Sequence, residues 1–202
     1  MKMDIVAWSS NDEFYSPRYA VLPILKYLRM NSSIWCPFDT EDSNFVKLLK
    51  ERWHRVYCTH KDILIKNTDT YWDFFNNDIF SFVDKEVFLK AWEGWMHYTW
   101  WIDYIISNPP YSIKWDVLKR LFNIWKPFAM LVWVVWLFES KERFEMFKNN
   151  KFEIMYMDKR VSYFKDFNEQ KPSLNPPFSS VFLCSWILHQ QIVFEYITKI
   201  NQ

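Results

Sequence analysis

The sequence predicts an α/β fold in which a doubly wound, mainly parallel sheet carries helices on both faces. Helical and extended segments alternate along the 202-residue chain, and strands separated by helices of this length are typical of βαβ units. Two short apolar runs, residues 104–106 and 128–135, are predicted to be buried strands. The length predicts one domain, residues 1–202.

The predicted elements follow in chain order. Val21, Leu25 and Leu28 lie at helical spacing behind Ser16-Pro17, which predicts a helix over residues 17–30. Residues 33–38 are extended, and a helix to about residue 52 can be capped by Asp42 or Ser43. The other predicted strands are residues 55–59, 102–107, 152–157 and 180–187, and the other predicted helices are 114–124 and 139–150. Residues 67–98 form a poorly determined insert, and residues 166–177 are predicted to be a long loop.

Composition narrows the class of protein. The formal net charge is +1, from 25 basic and 24 acidic residues, so no global basic field marks a nucleic-acid binder, although a local basic cleft needs none. The three cysteines lie far apart without metal-ligand spacing, which predicts no metal, no disulfide framework and a cytoplasmic location. Residues 1–7 do not resemble a signal peptide, and the longest apolar run, residues 128–138, is too short to span a bilayer.

One feature of the composition is abnormal: the chain has 13 Trp and one Gly, whereas average usage predicts roughly 14 Gly. Trp53 and Trp125 directly follow predicted helices, at the position where proteins usually have a glycine in the left-handed conformation. Trp72 and Trp101 lie in connections between predicted elements. We hypothesise that the gene uses UGA for glycine, here read as tryptophan at every Trp except Trp35. The alternative is an aromatic-rich protein whose tryptophans are genuine.

The most informative motif is Asn108-Pro109-Pro110-Tyr111, directly after the predicted strand 102–107. Neither proline can donate a hydrogen bond to a sheet, and both fix φ near −65°. The strand must therefore end here, in a stiff loop that carries an amide, free carbonyls and one aromatic ring. Such a loop can hold a planar amine in one place.

With its preceding strand, this loop resembles motif IV of the amino-methyltransferases, the (D/N/S)PP(Y/F) signature. Further matching segments are Phe14-Tyr15-Ser16-Pro17, residues 34–39, residues 73–75 and residues 126–129. Across roughly residues 12–188 the chain resembles the short, phage-associated adenine-N6 methyltransferases. The resemblance implies a class I methyltransferase-like (Rossmann-like) sheet, S-adenosylmethionine as cofactor, and methyl transfer to adenine N6 in DNA.

The resemblance also implies roles for the motif residues. Adenine N6 is a poor nucleophile because its lone pair is delocalised into the ring. Asn108 and the Pro109 carbonyl would accept its two hydrogens, with Pro110 stiffening the loop and Tyr111 stacking on a base flipped out of the duplex. The alternative for these residues is a Pro-rich turn with a buried Tyr.

The cofactor-binding residues implied by the resemblance are Tyr15, Pro17, Pro37, Phe38, Asp39, Asp73 and Phe74. Asp39 would bind the amino group of the cofactor, but its loop lacks the usual Gly-rich turn, and an exposed acid or an early helix cap is the alternative. Asp73 and Phe74 would contact the cofactor adenine, with a surface acid beside a core Phe as the alternative. Tyr15 and Pro17 would close over the methionine end, or else only pack in the core.

Other functions of the same residues stay open in the sequence. The same loop could act on RNA adenine or on a protein glutamine amide, and the Gly-free turn also allows a catalytically silent nucleic-acid-binding relative. A second copy of the motif, residues 175–178, follows a polar loop, so we expect catalysis only at Asn108. The oligomeric state is not indicated.

Overall fold

The computed structural model describes residues 14–58, 102–135, 137–164, 172–174 and 179–199. Within these residues there are four α-helices, α1 (Arg18–Leu25), α2 (Asn44–Glu51), α3 (Lys114–Ile124) and α4 (Lys141–Lys148), and a 3-10 helix, Tyr111–Ile113. The strands are β1 (Ser33–Cys36), β2 (Arg55–Cys58), β3 (Tyr104–Ser107), β4 (Phe128–Trp133), β5 (Glu153–Met157), β6 (Tyr163–Phe164), β7 (Pro172–Leu174), β8 (Ser180–Ser185) and β9 (Ile192–Glu195).

Seven of these strands form one mixed sheet in the order β2-β1-β3-β4-β8-β5-β9, while β6 pairs with β7 in a separate two-stranded sheet. Strand β1 is parallel to β2 and β3, β3 is parallel to β4, and β5 is parallel to β9. Strand β8 is antiparallel to both of its neighbours. The predicted α/β class with a mainly parallel sheet is therefore confirmed.

Alternate residues of the central strands point to opposite faces of the sheet. Ile34, Ile106 and Leu131 join a cluster that contains the apolar residues of α1 and α2. Trp35 and Ile105 join a second cluster, which contains the apolar residues of α3 and Phe147 of α4. Helices thus cover both faces, and this explains why β1 and β3 are buried along their whole length.

The structure differs from the prediction in several elements. Helix α1 ends at Leu25 rather than near residue 30, and Pro23 lies inside it. Strands β6 and β9 were not predicted, and β7 lies within residues 166–177, which were predicted to be a loop. The insert at residues 67–98 falls outside the described residues.

Left-handed backbone is concentrated at tryptophan. Four non-glycine residues in the described part of the chain have positive φ, namely Asn31, Trp53 (64°), Trp125 (58°) and Trp186 (60°). After α2 the amides of Trp53 and His54 donate to the carbonyls of Lys50 and Leu49, the hydrogen bonds of a Schellman ending. The left-handed conformation predicted at Trp53 and Trp125 is confirmed, whereas Trp72 and Trp101 lie outside the described residues. The genetic explanation stays a hypothesis.

Two findings bear on partners. Over the described ranges, no helix has both the length and the apolar character needed to cross a membrane. In the same ranges, no group of three or more His, Cys, Asp and Glu side chains is arranged to hold a metal ion.

Candidate active site

The candidate site lies at the carboxyl edge of the sheet, between β1 and β3. Strand β2 pairs with one side of β1 and β3 with the other, so the strand order reverses at β1. In open α/β sheets, ligands bind beyond the carboxyl ends of the strands at such a reversal. Two loops meet this condition: residues 37–43, which follow β1, and residues 108–110, which follow β3.

A buried hydrogen bond joins these two loops. The hydroxyl of Ser107, the last residue of β3, donates to Oδ2 of Asp39 in the loop after β1. The Ser43 hydroxyl also bonds the Asp39 carboxylate, and the same Ser43 caps α2 by accepting from the amide of Val46 at 3.1 Å. Asp39 is only 7% exposed, so the alternative of an exposed loop acid is wrong, and the helix cap is Ser43.

The environment of Asp39 makes it an unusual acid. Burial raises its pKa from 3.8 to about 6, and the hydrogen bonds from Ser107 and Ser43 oppose that shift without cancelling it. Desolvation destabilises the charged form, whereas hydroxyl donors stabilise it. Asp39 is therefore a buried carboxyl that ionises near neutral pH and can bind a cationic group. A carboxyl whose pKa is shifted in this way is typical of functional sites.

In the described part of the chain, the side chain of Asn108 has a hydrogen-bond partner at its nitrogen and none at its oxygen. Its Nδ2 donates to the backbone carbonyl of Phe14 at 2.7 Å. A carbonyl can only accept, so this contact fixes which end of the amide is the NH2 group. Its Oδ1 is buried and has no hydrogen-bond partner in the part of the chain that the structure describes. A buried, unsatisfied acceptor is costly, and a ligand N–H would relieve that cost.

The remaining motif residues continue from this strand end. Pro109 is buried and Pro110 is half-buried, with φ of −55° at Pro110. Tyr111 opens the 3-10 helix and faces an aromatic group: its ring centroid lies 3.8 Å from that of Trp133, 5.6 Å from that of Phe14 and 6.4 Å from that of Tyr163. The motif thus places a buried amide oxygen and an aromatic ring, stacked on Trp133, in one loop.

The N-terminal segment contacts the same site. Tyr15 forms two backbone hydrogen bonds with Phe164 of β6, both at 3.0 Å, and the carbonyl of Ser16 accepts from Asn44 at 2.9 Å. Pro17 is buried as the N-cap of α1. The segment therefore reaches Asn108 through Phe14, while the roles of Tyr15 and Pro17 toward a cofactor stay predictions.

The other predicted residues divide into two groups. Pro37 is buried and Phe38 packs against the cluster that contains α3, so both lie in the loop that carries Asp39. Asp73 and Phe74 lie outside the described residues, as does the second motif copy at residues 175–178. Their predicted roles stay predictions.

Sequence reasoning missed three contributors: Ser107 and Ser43, which hold Asp39, and Phe14, whose carbonyl holds Asn108. Ser107 and Phe14 lie inside matching segments, so their neighbourhood was indicated although their contacts were not. Ser43 was predicted only as a helix cap. Partners separated by 68 and 94 residues leave no local pattern in a sequence.

Together these groups can bind a planar amine and a cation at one sheet edge. Asn108 offers an acceptor, Tyr111 an aromatic face and Asp39 a buried carboxylate. A scan against protein-family models found no match, and a search of curated proteins found none either.

Proposed function

We propose that this chain transfers a methyl group from S-adenosylmethionine to the exocyclic N6 amine of adenine in DNA. The observation that carries the proposal is Asn108 at the end of β3. Its amide nitrogen is held by the Phe14 carbonyl, and its oxygen is buried without a partner in the described residues. An amide in this state is prepared to accept a hydrogen bond from an amine.

Asn108 and Pro109 would do most of the chemical work. Two acceptors on the two N–H groups shift electron density onto the amine nitrogen and fix its orientation. Positioning and preorganised electrostatics of this kind lower a barrier by several kcal/mol without a strong base. Bound S-adenosylmethionine would supply a methyl group on a sulfonium; transfer would break the S–C bond as the N–C bond forms, leave the thioether S-adenosylhomocysteine, and release one proton from the amine to solvent.

The residues present fit such a cofactor. Asp39 is a buried carboxylate at the strand reversal, and it would bind the cationic amino group of the methionine moiety. The hydroxyls of Ser107 and Ser43 would hold that carboxylate in place. A doubly wound, mainly parallel sheet whose ligand edge carries both loops supports the class I methyltransferase-like architecture that the sequence resembles.

The geometry around Tyr111 favours a nucleobase over a glutamine amide. In the structure its ring already has another flat ring at 3.8 Å, tilted by 24°, so its face accommodates a stacked aromatic system. A base in duplex DNA would have to be flipped out to reach it. The three cysteines are unpaired, in keeping with the cytoplasmic location that belongs to the same proposal.

The test is transfer of a radiolabelled methyl group from S-adenosylmethionine to separate pools of DNA, RNA and protein. We expect label in DNA, on N6 of adenine. Replacing Asn108 by Ala removes one preorganised contact and should lower the rate about 100- to 1,000-fold, as loss of one oxyanion-hole donor does. Asn150→Ala is the matched control, because Asn150 also donates to a backbone carbonyl, that of Met146, at 2.7 Å.

The outcomes separate the candidates. Label in RNA or in a glutamine amide would replace DNA adenine as the substrate. Transfer that survives Asn108→Ala would contradict the catalytic role of the motif. Binding of nucleic acid without any transfer or cofactor binding would identify a silent relative, provided that the variant with glycines restored behaves alike.

A further inference from the structure

One face of the Tyr111 ring is covered by an indole. The ring centroids of Tyr111 and Trp133 lie 3.8 Å apart with an interplanar angle of 24°. This is a stacked arrangement, the geometry in which a nucleobase lies on an aromatic side chain. Trp133 therefore takes the position relative to Tyr111 that a stacked base would take.

The surroundings define this position as part of the site. Phe14 flanks both rings, at 5.6 Å from Tyr111 and 6.1 Å from Trp133, and its carbonyl holds Asn108. Trp133 is the last residue of β4, which pairs in parallel with β3. The carboxyl ends of β3 and β4 are thus neighbours, and they bring the indole to the loop that carries the unpartnered Asn108 oxygen.

The shape of the indole matters. It is a flat, fused five- and six-membered ring system, as is a purine, so the two cover similar areas of a stacking partner. Trp133 is half-buried, and it is one of the residues that the recoding hypothesis assigns to glycine. A glycine at the end of β4 would leave this face of Tyr111 uncovered.

We propose that the Trp133 indole fills the purine slot on the Tyr111 ring and competes with a base for it. A small residue at position 133 opens a stacking site for one purine base beside Asn108. The inference rests on the proposed function for its choice of base. A site that is open in only a fraction of the molecules binds with an apparent affinity reduced by that fraction. Removal of the indole opens the site in more molecules and therefore raises the apparent affinity.

The experiment measures base binding rather than methyl transfer. The probe is a short fluorescein-labelled oligothymidylate that contains one deoxyadenosine, compared by anisotropy with the all-thymidine strand. Stacking of one base on an aromatic side chain corresponds to about a 5- to 150-fold change in affinity. We expect Trp133→Gly to bind the deoxyadenosine strand at least about tenfold more tightly than the chain with Trp133, and the all-thymidine strand with little change.

Three further variants sharpen the result. Trp133→Val clears the slot with a residue that favours strands, and covers the case in which glycine weakens β4. Trp133→Phe keeps a ring in the slot and should stay near the starting affinity. Trp115→Gly removes a different half-buried indole, which lies 4.1 Å from the Arg143 guanidinium, and should give no gain.

The inference is overturned if neither Trp133→Gly nor Trp133→Val gains affinity while unfolding cooperatively, or if both strands gain equally. It is supported if the gain disappears when Tyr111→Ala is added. Failure of the proposed function is distinct: a gain in purine binding with no methyl transfer to any pool would leave the slot in place and remove the reaction. Methyl transfer by a variant that shows no gain in purine binding would keep the reaction and rule out the slot.

Discussion

At the scale of single residues, Asp39 shows how the fold prepares a charge for use. Its carboxylate is buried between the hydroxyls of Ser107 and Ser43, and burial raises its pKa to about 6. The hydroxyls compensate for only part of the lost hydration. A carboxylate held in this way is most useful when a cationic ligand completes its environment.

We predict that S-adenosylmethionine binds more tightly as pH rises through about 6, where free Asp39 loses its proton. Below that pH the affinity should fall by up to about tenfold per pH unit, because the ligand must then bind with release of a proton. Isothermal titration calorimetry between about pH 5 and 8 checks this. The Asp39→Asn variant should bind weakly and show no such slope.

Asp103→Asn is the matched control for that titration. Asp103 also contacts β1, accepting from the amide of Ser33 at 2.9 Å. It precedes β3, however, and therefore lies at the amino end, opposite the proposed site. An equal loss of binding in Asp103→Asn would show that the effect of Asp39 is structural rather than a direct contact with the ligand.

At the scale of elements, the ends of the helices carry a conflict between conformation and residue type. Trp125 follows α3 with φ of 58° and ψ of 30°, and 79% of it is exposed. A residue with a Cβ pays about 1–2 kcal/mol for left-handed backbone. Because the indole is so exposed, it buries little apolar surface that could offset this free-energy cost. Glycine would not incur it.

We predict that Trp125→Gly raises the free energy of unfolding by about 0.5–1 kcal/mol, since relief of strain exceeds the extra entropy of glycine in the unfolded chain. Trp115→Gly, inside the same helix, should lower it by about 1 kcal/mol or more, because glycine is unfavourable in a helix and the Arg143 contact is lost. Urea denaturation of both variants measures the difference. A loss of stability in Trp125→Gly would mean that the left-handed backbone at this position costs less than the extra entropy of glycine in the unfolded chain.

The elements also show what the sequence could and could not predict. Strands β3 and β4 were predicted to be buried, and β1 to be extended, because long-range packing and local composition agree there. Strand β6 has two residues and β7 begins with Pro172, so neither offers a readable period. The motif loop could be placed at a strand end from Pro109 and Pro110 together with the apolar run before them. The bond from Ser107 to Asp39 could not, since it depends on which strands become neighbours.

At the scale of the whole molecule, the stability of the fold is linked to the site through pH. Between the ordinary pKa of 3.8 and about 6, the folded chain holds the Asp39 proton more tightly than the unfolded chain does. Folded protein therefore binds more protons in this window, and the free energy of unfolding falls as pH rises. Glu41 and Glu195 act in the opposite direction. Burial alone would raise their pKa values, but hydrogen bonds, among them those from lysine, outweigh it and lower them.

A comparison with Asp39→Asn isolates the term that Asp39 contributes, because the other carboxyls are common to both proteins. We predict equal stability near the ordinary pKa of 3.8 and a growing advantage of the variant up to about pH 6. Above that pH the advantage should be constant at about 2–3 kcal/mol. Guanidinium denaturation at a series of pH values measures this difference.

A variant that is less stable than the parent at pH 7 would mean that the hydrogen bonds from Ser43 and Ser107 outweigh the cost of the buried charge. The expected result instead joins two opposite effects in one substitution: a more stable protein that no longer binds a cationic ligand at the strand reversal. A residue that lowers the free energy of unfolding without a structural role is typical of one retained for function. We therefore expect stabilisation by the Asn substitution at Asp39, and none at Asp103, which lies at the other edge of the sheet.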